Sequence, residues 1–137
     1  MLIKHKDYLT YELSSKWCVE QNDDSTQIYD PEGNGAMTLS FYSVMLEEQA
    51  FENRICIMAK KFIDQNKIKM DSSLILSCSK SNVITLYGTG VTPDNWFIKL
   101  WYVAKFPRIV LATYLSSEKT QEVKKYDKII NSMEFQV

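Results

Sequence analysis

Residues 95–117 constrain the fold more than any other part of the chain. Two runs of β-branched and aromatic residues flank a short turn at Pro107, a pattern typical of a β-hairpin. Side chains of a strand alternate between the two faces of its sheet. One alternating set is Trp96, Ile98, Leu100, Tyr102, Ala104 and Phe106, and the other is Phe97, Lys99, Trp101, Val103 and Lys105. Both sets are largely apolar in the middle, which predicts a covering layer on each face of the sheet.

Hydrophobic periodicity and turn residues divide the rest of the chain into further strands and two helices. The predicted strands are residues 8–13, 17–21, 26–29, 36–44, 74–79 and 82–91. Residues 45–66 predict a helix with Ser43 as its N-cap, and its apolar stripe is Phe51, Ile55, Met58, Ala59, Phe62 and Ile63. A second helix is predicted after Glu118 and runs to about Asn131, with Val123, Tyr126, Ile129 and Ile130 on its apolar side. Residues 132–137 are predicted to be a tail or a short strand.

This order of elements predicts an α+β fold in one domain, residues 1–137. Its core is a twisted, mostly antiparallel sheet of about six to eight strands, packed between two main helices. The turns between strands are short, which favours antiparallel pairing. A chain of 137 residues is long enough to bury a hydrophobic core without disulfide bonds.

The charge balance argues against two classes of partner. The net charge is −1 and the isoelectric point is about 5.8, so we expect neither a nucleic acid nor an anionic membrane as partner. No apolar run reaches the roughly 20 residues that a membrane-spanning helix needs. The charge is uneven: residues 1–56 hold ten acids and four bases, and residues 57–137 hold seven acids and twelve bases. This asymmetry fits either solvated surfaces or a dipole that steers a charged partner.

No set of residues predicts catalysis, a metal site or a cofactor. His5 is the only histidine and lies in a polar N-terminal stretch, so we expect it at the surface. The three cysteines are odd in number and lack CxxC spacing, which argues against disulfides and zinc. Cys56 and Cys78 are predicted to be buried thiols, and Cys18 to be less buried. Free thiols and an N-terminus without a signal-peptide pattern predict a cytoplasmic protein.

An acidic segment is the one candidate binding site. Its carboxylates are Glu20, Asp23, Asp24, Asp30 and Glu32. Their spacing does not match a calcium loop, so they are either solvated turns or a rim that meets a basic protein. The three tryptophans, Trp17, Trp96 and Trp101, are interpreted as core residues, with a ligand pocket as the alternative.

The order of several motifs is similar to that of a known family. A short strand and turn lead to Trp17, a strand follows at residues 35–43, then the helix at 45–66, and the chain closes with residues 126–135, which read Tyr-Asp-Lys-Ile-Ile-Asn-Ser-Met-Glu-Phe. In layout and spacing this resembles the PsbP-like superfamily over nearly the whole chain. That superfamily includes a photosystem II extrinsic protein, a Ran-binding nuclear import factor, bacterial lipoproteins and effector chaperones. The resemblance implies α/β/α layers and a protein-binding scaffold.

These observations support two hypotheses of different classes. The first is a small bacterial, cytoplasmic, non-enzymatic protein-binding module, such as an adaptor, an effector chaperone or an immunity-type protein. The alternative is a small-molecule-binding protein or enzyme that uses a pocket between sheet and helix. A homodimer formed through a sheet edge is a further expectation.

Overall fold

The computed structural model describes residues 1–22, 24–79 and 81–136 of the chain. Within these residues the strands are β1 (Leu2–His5), β2 (Leu9–Glu12), β3 (Cys18–Gln21), β4 (Ser25–Tyr29), β5 (Gly35–Ser43), β6 (Lys69–Met70), β7 (Ile75–Cys78), β8 (Ile84–Val91), β9 (Phe97–Lys105), β10 (Arg108–Ser116) and β11 (Glu134–Phe135). The helices are α1 (Phe51–Gln65), which follows a 3₁₀ turn at Glu48–Ala50, and α2 (Val123–Asn131). Neither helix in this part of the chain has the length and apolar content needed to cross a bilayer.

Eight of the described strands form one antiparallel sheet around the β9–β10 hairpin. The order is β3-β4-β5-β10-β9-β8-β6, and β7 pairs with β8 beside β6. Consecutive residues of β9 are buried on opposite faces: Leu100 is fully buried on one face and Trp101, 2% exposed, on the other. The predicted hairpin and its two covered faces are therefore confirmed.

One face of this sheet packs against α1. Phe51, Ile55 and Ala59 of α1 are buried against Leu100 and Leu111 of the central strands. Met58, Phe62 and Ile63 are partly buried against the same cluster. All six residues of the predicted stripe thus face the sheet, as a period of 3.6 residues requires.

The opposite face packs against α2 and a second, smaller sheet. A buried hydrophobic cluster on this face contains Tyr126, Ile129 and Ile130 of α2 together with Trp101 and Tyr114 of the main sheet. The small sheet has the order β1-β2-β11 and adds Leu9, Tyr11 and Phe135 to that cluster. The predicted α+β architecture is confirmed, whereas a separate sheet beside α2 was not predicted.

The first helix begins later than its sequence pattern indicated. Residues 45–50 were predicted to be its first turns, but Glu47 is extended and α1 begins at Phe51. Ser43 is the last residue of β5, and its hydroxyl accepts a hydrogen bond from Arg108 at 2.9 Å instead of capping the helix. Val44 and Leu46 pack against the α1 cluster, so this segment anchors the crossover from sheet to helix.

Three side-chain predictions were wrong. His5 was expected at the surface, but the small sheet buries it, and its ring stacks on Phe41 at a centroid distance of 4.3 Å. Cys56 was expected in the core but is exposed, because each helical residue turns about 100° from the previous one and Ile55 takes the inward position. Cys78 is exposed as well, since β7 lies at the edge of the sheet.

Candidate binding surface

Helix α1 covers only part of its face of the main sheet. It packs over β8, β9 and β10, while the same face of β3, β4 and β5 carries no packed layer among the described residues. The register places alternate residues of these strands together on this face. We call this surface the open face; its residues are Cys18, Glu20, Gln27, Tyr29, Ala36, Thr38, Ser40, Tyr42, Thr113 and Leu115, with Trp96 beside Leu115.

The open face has a low centre and large side chains around it. Ala36, Thr38 and Ser40 lie along β5, and their small side chains form the floor. The floor lies at the bottom of a groove of about 600 Å³. One wall of this groove is formed by Tyr29, and the other by Leu115 and Trp96. Trp96, Tyr42 and Leu115 are 44%, 42% and 38% exposed. These are large apolar side chains left in water on one side of a packed sheet.

A tight turn holds Trp96 at the rim. Asn95 has a positive φ of 67°, and its N–H donates to the Thr92 carbonyl at 2.9 Å. The Trp96 N–H donates to the Thr92 hydroxyl at 3.0 Å, and the Thr92 N–H donates to the Trp96 carbonyl at 2.9 Å. The alternation pattern placed Trp96 on the same face as Ile98, and Ile98 pairs with Leu115 on that face. The interpretation of Trp96 as a core residue was wrong, because Trp96 precedes β9 and lies in this turn, where it is 44% exposed.

A buried carboxylate fixes the opposite end of the groove. Glu122, just before α2, accepts hydrogen bonds from the N–H groups of Asn34 and Gly35, both at 2.9 Å, and from the Tyr114 hydroxyl at 2.7 Å. Tyr126 donates to the Gly35 carbonyl at 3.2 Å. These contacts tie the turn at residues 30–35 to α2. No sequence pattern indicated Glu122, since its two backbone donors, Asn34 and Gly35, lie almost ninety positions away.

Gly35 allows β5 to approach β10 closely at this point. A Cβ at this position would meet Tyr114 Cε1 at 2.8 Å and Ser116 Cβ at 2.9 Å. Real Cβ atoms do not come that close to other heavy atoms, so a larger residue would push the strands apart.

The predicted acidic residues occupy different environments. Glu20 lies on the open face and accepts a hydrogen bond from the Tyr29 hydroxyl at 3.0 Å, which raises the pKa of Tyr29. Asp24 and Glu32 are exposed, and Asp23 lies outside the described residues. Asp30 is buried, with its carboxylate 3.2 Å from the Lys16 ammonium. The hydrogen bond from the Glu32 N–H lowers the pKa of Asp30 below its usual range, and the Lys16 ammonium adds a smaller effect in the same direction.

The carboxylates therefore do not act as one cluster. Asp30 caps the turn that carries Glu32, and this structural role uses its oxygens. Glu20 is the one member that the register places on the open face beside Gln27. Among residues 1–22, 24–79 and 81–136, no three His, Cys, Asp or Glu side chains lie close enough together to hold a metal ion.

The comparisons with known proteins show the fold. No family model matches the chain, and no curated protein matches it. The solution structure of cyanobacterial PsbP (CyanoP) from Synechocystis sp. PCC 6803 matches with a TM-score of 0.70 at 8% identity, covering 96% of this chain and 89% of that one. A crystal structure from Bacteroides thetaiotaomicron VPI-5482 matches with a TM-score of 0.67 at 14% identity, covering 96% of this chain.

These likenesses define the class as a PsbP-like α+β fold, in agreement with the resemblance of the sequence. The chain spans 46% of the Bacteroides protein, so that protein includes more than this fold. Identities of 8% and 14% carry no residue of a binding site from one protein to another.

Proposed function

We propose that the chain is a non-enzymatic protein-binding module whose partner docks on the open face. The observation that carries this proposal is the exposure of Trp96, Tyr42 and Leu115 on one side of the main sheet. Exposed apolar groups gathered on one surface and bordered by polar residues are typical of interaction sites. Trp and Tyr are also the residues most enriched among those that dominate binding energy.

The charge around the open face supports a partner with basic residues. Residues 17–53 contain eight acidic residues and no lysine, arginine or histidine. This segment includes the whole of β3, β4 and β5, which form the floor of the open face. Exposed Asp24 and Glu32 add to the negative potential there. Such a surface speeds the approach of a positively charged protein and repels an acidic one.

The dimensions of the open face fit one amphipathic helix of a partner. The three strands β3, β4 and β5 span about 10 Å across, which is the diameter of an α-helix. From Ala36 to Tyr42 the floor runs about 20 Å along β5, enough for roughly 13 helical residues. A helix with an apolar stripe toward Leu115 and a Lys or Arg near Glu20 matches this surface.

We place this module in the cytoplasm, as an adaptor, an effector chaperone or an immunity-type protein. Exposed free thiols at Cys56 and Cys78 fit a compartment that keeps cysteines reduced. The fold likeness to CyanoP is compatible with a binding scaffold but names no partner.

Affinity capture with matched bait variants tests the proposal. The baits are the unchanged chain, Leu115→Arg on the open face, and Ile57→Arg on the solvent side of α1, all used at low salt with an extract of the source cells. We expect a specific protein to bind the unchanged chain and Ile57→Arg but not Leu115→Arg, because Leu115 lies on the open face while exposed Ile57 lies on another surface. Capture of no specific protein, or equal capture by all three baits, would refute the proposal.

Once a partner protein has been identified, association kinetics test the role of the acidic residues near the open face. Asp24→Lys combined with Glu32→Lys should lower the association rate and reduce its salt dependence. The control is Glu118→Lys, an exposed change outside the 17–53 segment. Asp30 stays unchanged because its carboxylate holds the turn together. A double variant that associates like the control would remove the acidic residues from the proposal.

The small-molecule alternative stays a prediction with a defined test. Its best candidate cavity is the groove between Tyr29 and Trp96, not a pocket between α1 and the sheet, where the side chains form a buried cluster. Quenching of Trp96 fluorescence in a metabolite screen, compared with a Trp96→Phe variant, would detect an occupant. Specific saturable binding of a metabolite there would favour the alternative over protein docking.

A further inference from the structure

Strand β7 presents an unprotected edge of the main sheet. All four of its residues are exposed, and Ile75 and Leu76 are 51% and 44% exposed. β7 pairs with β8 on one side, and no other described strand pairs with it. An edge of this kind leaves backbone donors and acceptors free and invites pairing with another strand.

The hydrogen-bond pattern shows which backbone groups face outward. The Ser79 N–H donates to the Val83 carbonyl at 2.9 Å, next to the register pairs Ser77↔Thr85 and Ile75↔Tyr87. In an antiparallel ladder, every second residue of a strand makes its backbone hydrogen bonds to the strand on one side, and the residues between point their N–H and C=O groups to the other side. Ile75 and Ser77 therefore bond to β8, and the N–H and C=O groups of Leu76 point away from the sheet.

β7 lacks the protection that the other described edges have. Charged side chains or very short strands usually prevent edge-to-edge pairing. β1 has Lys4 and β3 has Glu20, while β6 and β11 contain two residues each. In contrast, residues 72–79 read Ser-Ser-Leu-Ile-Leu-Ser-Cys-Ser and contain no charge, proline or glycine. Such a segment pairs readily with a copy of itself.

We propose that two copies of this chain dimerise by antiparallel pairing of β7 with β7, centred on Leu76. Leu76 then forms a hydrogen-bonded pair with Leu76 of the second copy, Ile75 lies opposite Ser77, and Leu74 lies opposite Cys78. The exposed Leu76 side chains meet at the two-fold axis and leave water.

The proposal does not depend on the open face, because β7 and β3 lie at opposite ends of the main sheet. The dimer would join the eight-stranded main sheets of the two copies into one continuous sheet. The contact is short, so we expect a dimer that dissociates on dilution rather than an obligate one.

Sedimentation velocity over a concentration series, with edge variants, tests the dimer. We expect the unchanged chain to pass from monomer to dimer as concentration rises. Leu76→Lys should remain monomeric, because two ammonium groups would meet at the two-fold axis. Gln21→Lys, an exposed change on the β3 edge, should dimerise like the unchanged chain. Circular dichroism checks that each variant is folded.

Disulfide trapping tests the register. In a chain with its three native cysteines changed to serine, Leu76→Cys should cross-link, since a hydrogen-bonded pair has Cα atoms about 5.5 Å apart. Ser77→Cys should not, since its counterpart lies roughly 8 Å away on a diagonal. A chain that stays monomeric at every concentration, a dimer that survives Leu76→Lys, or cross-linking at 77 instead of 76 would overturn the proposal.

Discussion

The Glu122 carboxylate stabilises one end of the open face by holding the turn at residues 30–35 against α2. Its oxygens accept hydrogen bonds from Asn34, Gly35 and Tyr114; the bond from the Tyr114 hydroxyl is buried, and the two backbone bonds are partly buried. We expect Glu122→Ala to lower the free energy of unfolding by about 2–4 kcal/mol, because buried donors without acceptors are costly. Urea denaturation measures this change. Glu118→Ala removes an exposed carboxylate nearby and should change stability by less than about 0.5 kcal/mol.

His5 joins the small sheet to the main sheet. Its ring stacks on Phe41, and its Nε2 lies 3.3 Å from the Thr26 hydroxyl. Its Nδ1 has no hydrogen-bond partner among the described residues. Burial, with a smaller contribution from the Lys6 ammonium, lowers the pKa of His5 below 6.5. A buried imidazole of this kind is held in its neutral form.

This depressed pKa predicts a loss of stability in mild acid. Well above pH 6.5 both the folded and the unfolded His5 are neutral, so the group has no effect on the pH dependence of stability. As pH falls through 6.5 the unfolded chain binds the proton first, and stability decreases until the folded pKa is reached. Thermal unfolding between about pH 7 and pH 5 should show this slope, and His5→Gln should reduce it. An unchanged slope would mean that other groups cause the acid sensitivity.

At the scale of elements, the tryptophan in β9 and the tryptophan in the turn just before β9 should behave differently. Trp101 is buried under α2, and its indole N–H donates to Asp127 at 3.1 Å. Trp101→Ala should lower the free energy of unfolding by about 3–5 kcal/mol. Trp96→Ala should cost less than about 1 kcal/mol because that ring is mostly in water. Chemical denaturation of both variants measures these losses. Equal losses of unfolding free energy for Trp101→Ala and Trp96→Ala would contradict the different burial of the two rings.

The predictability of each element follows the strength of its own pattern. The α1 stripe and the β9–β10 hairpin were predicted because their periodicity continues over many residues. Strands β1 and β6 were missed because they are short and carry lysines, and pairing with neighbours alone makes them strands. The start of α1 was placed too early because the link from β5 is fixed by packing of Val44 and Leu46, not by a cap.

For the whole molecule, the order of the sheet predicts a gradient of local stability. β9 and β10 lie at the centre of the main sheet and are buried on both faces, whereas β1 and β7 are edge strands. Hydrogen exchange on a dilute sample should therefore be slowest in β9 and β10 and fastest in β1 and β7. Equal exchange rates in β7 and β9 at dilution would contradict this order. Protection of the Leu76 amide that appears only at high concentration would support the β7 dimer.

The candidate surface arises because the covering layers are incomplete. α1 covers β8 to β10, and the layer with α2 and the small sheet covers the other face. What remains uncovered on the α1 side is β3 to β5 together with Thr113 and Leu115 at the end of β10. Strands β3 to β5 come from the acidic half of the chain. The acidic binding site stays a prediction for Glu20, Asp24 and Glu32, whereas Asp30 holds the turn and Asp23 lies outside the described residues.

The sequence alone determined the elements whose periodicity is local: the hairpin, the α1 stripe, the α2 stripe and the α+β class. It also determined the acidic character of residues 17–53, since charge is a property of composition. Only the tertiary structure decided which faces stay in water, because burial depends on where a layer ends relative to strands far away in sequence. Trp96 and Leu115 look apolar in the sequence, yet α1 stops short of them; His5 looks polar, yet the small sheet covers it.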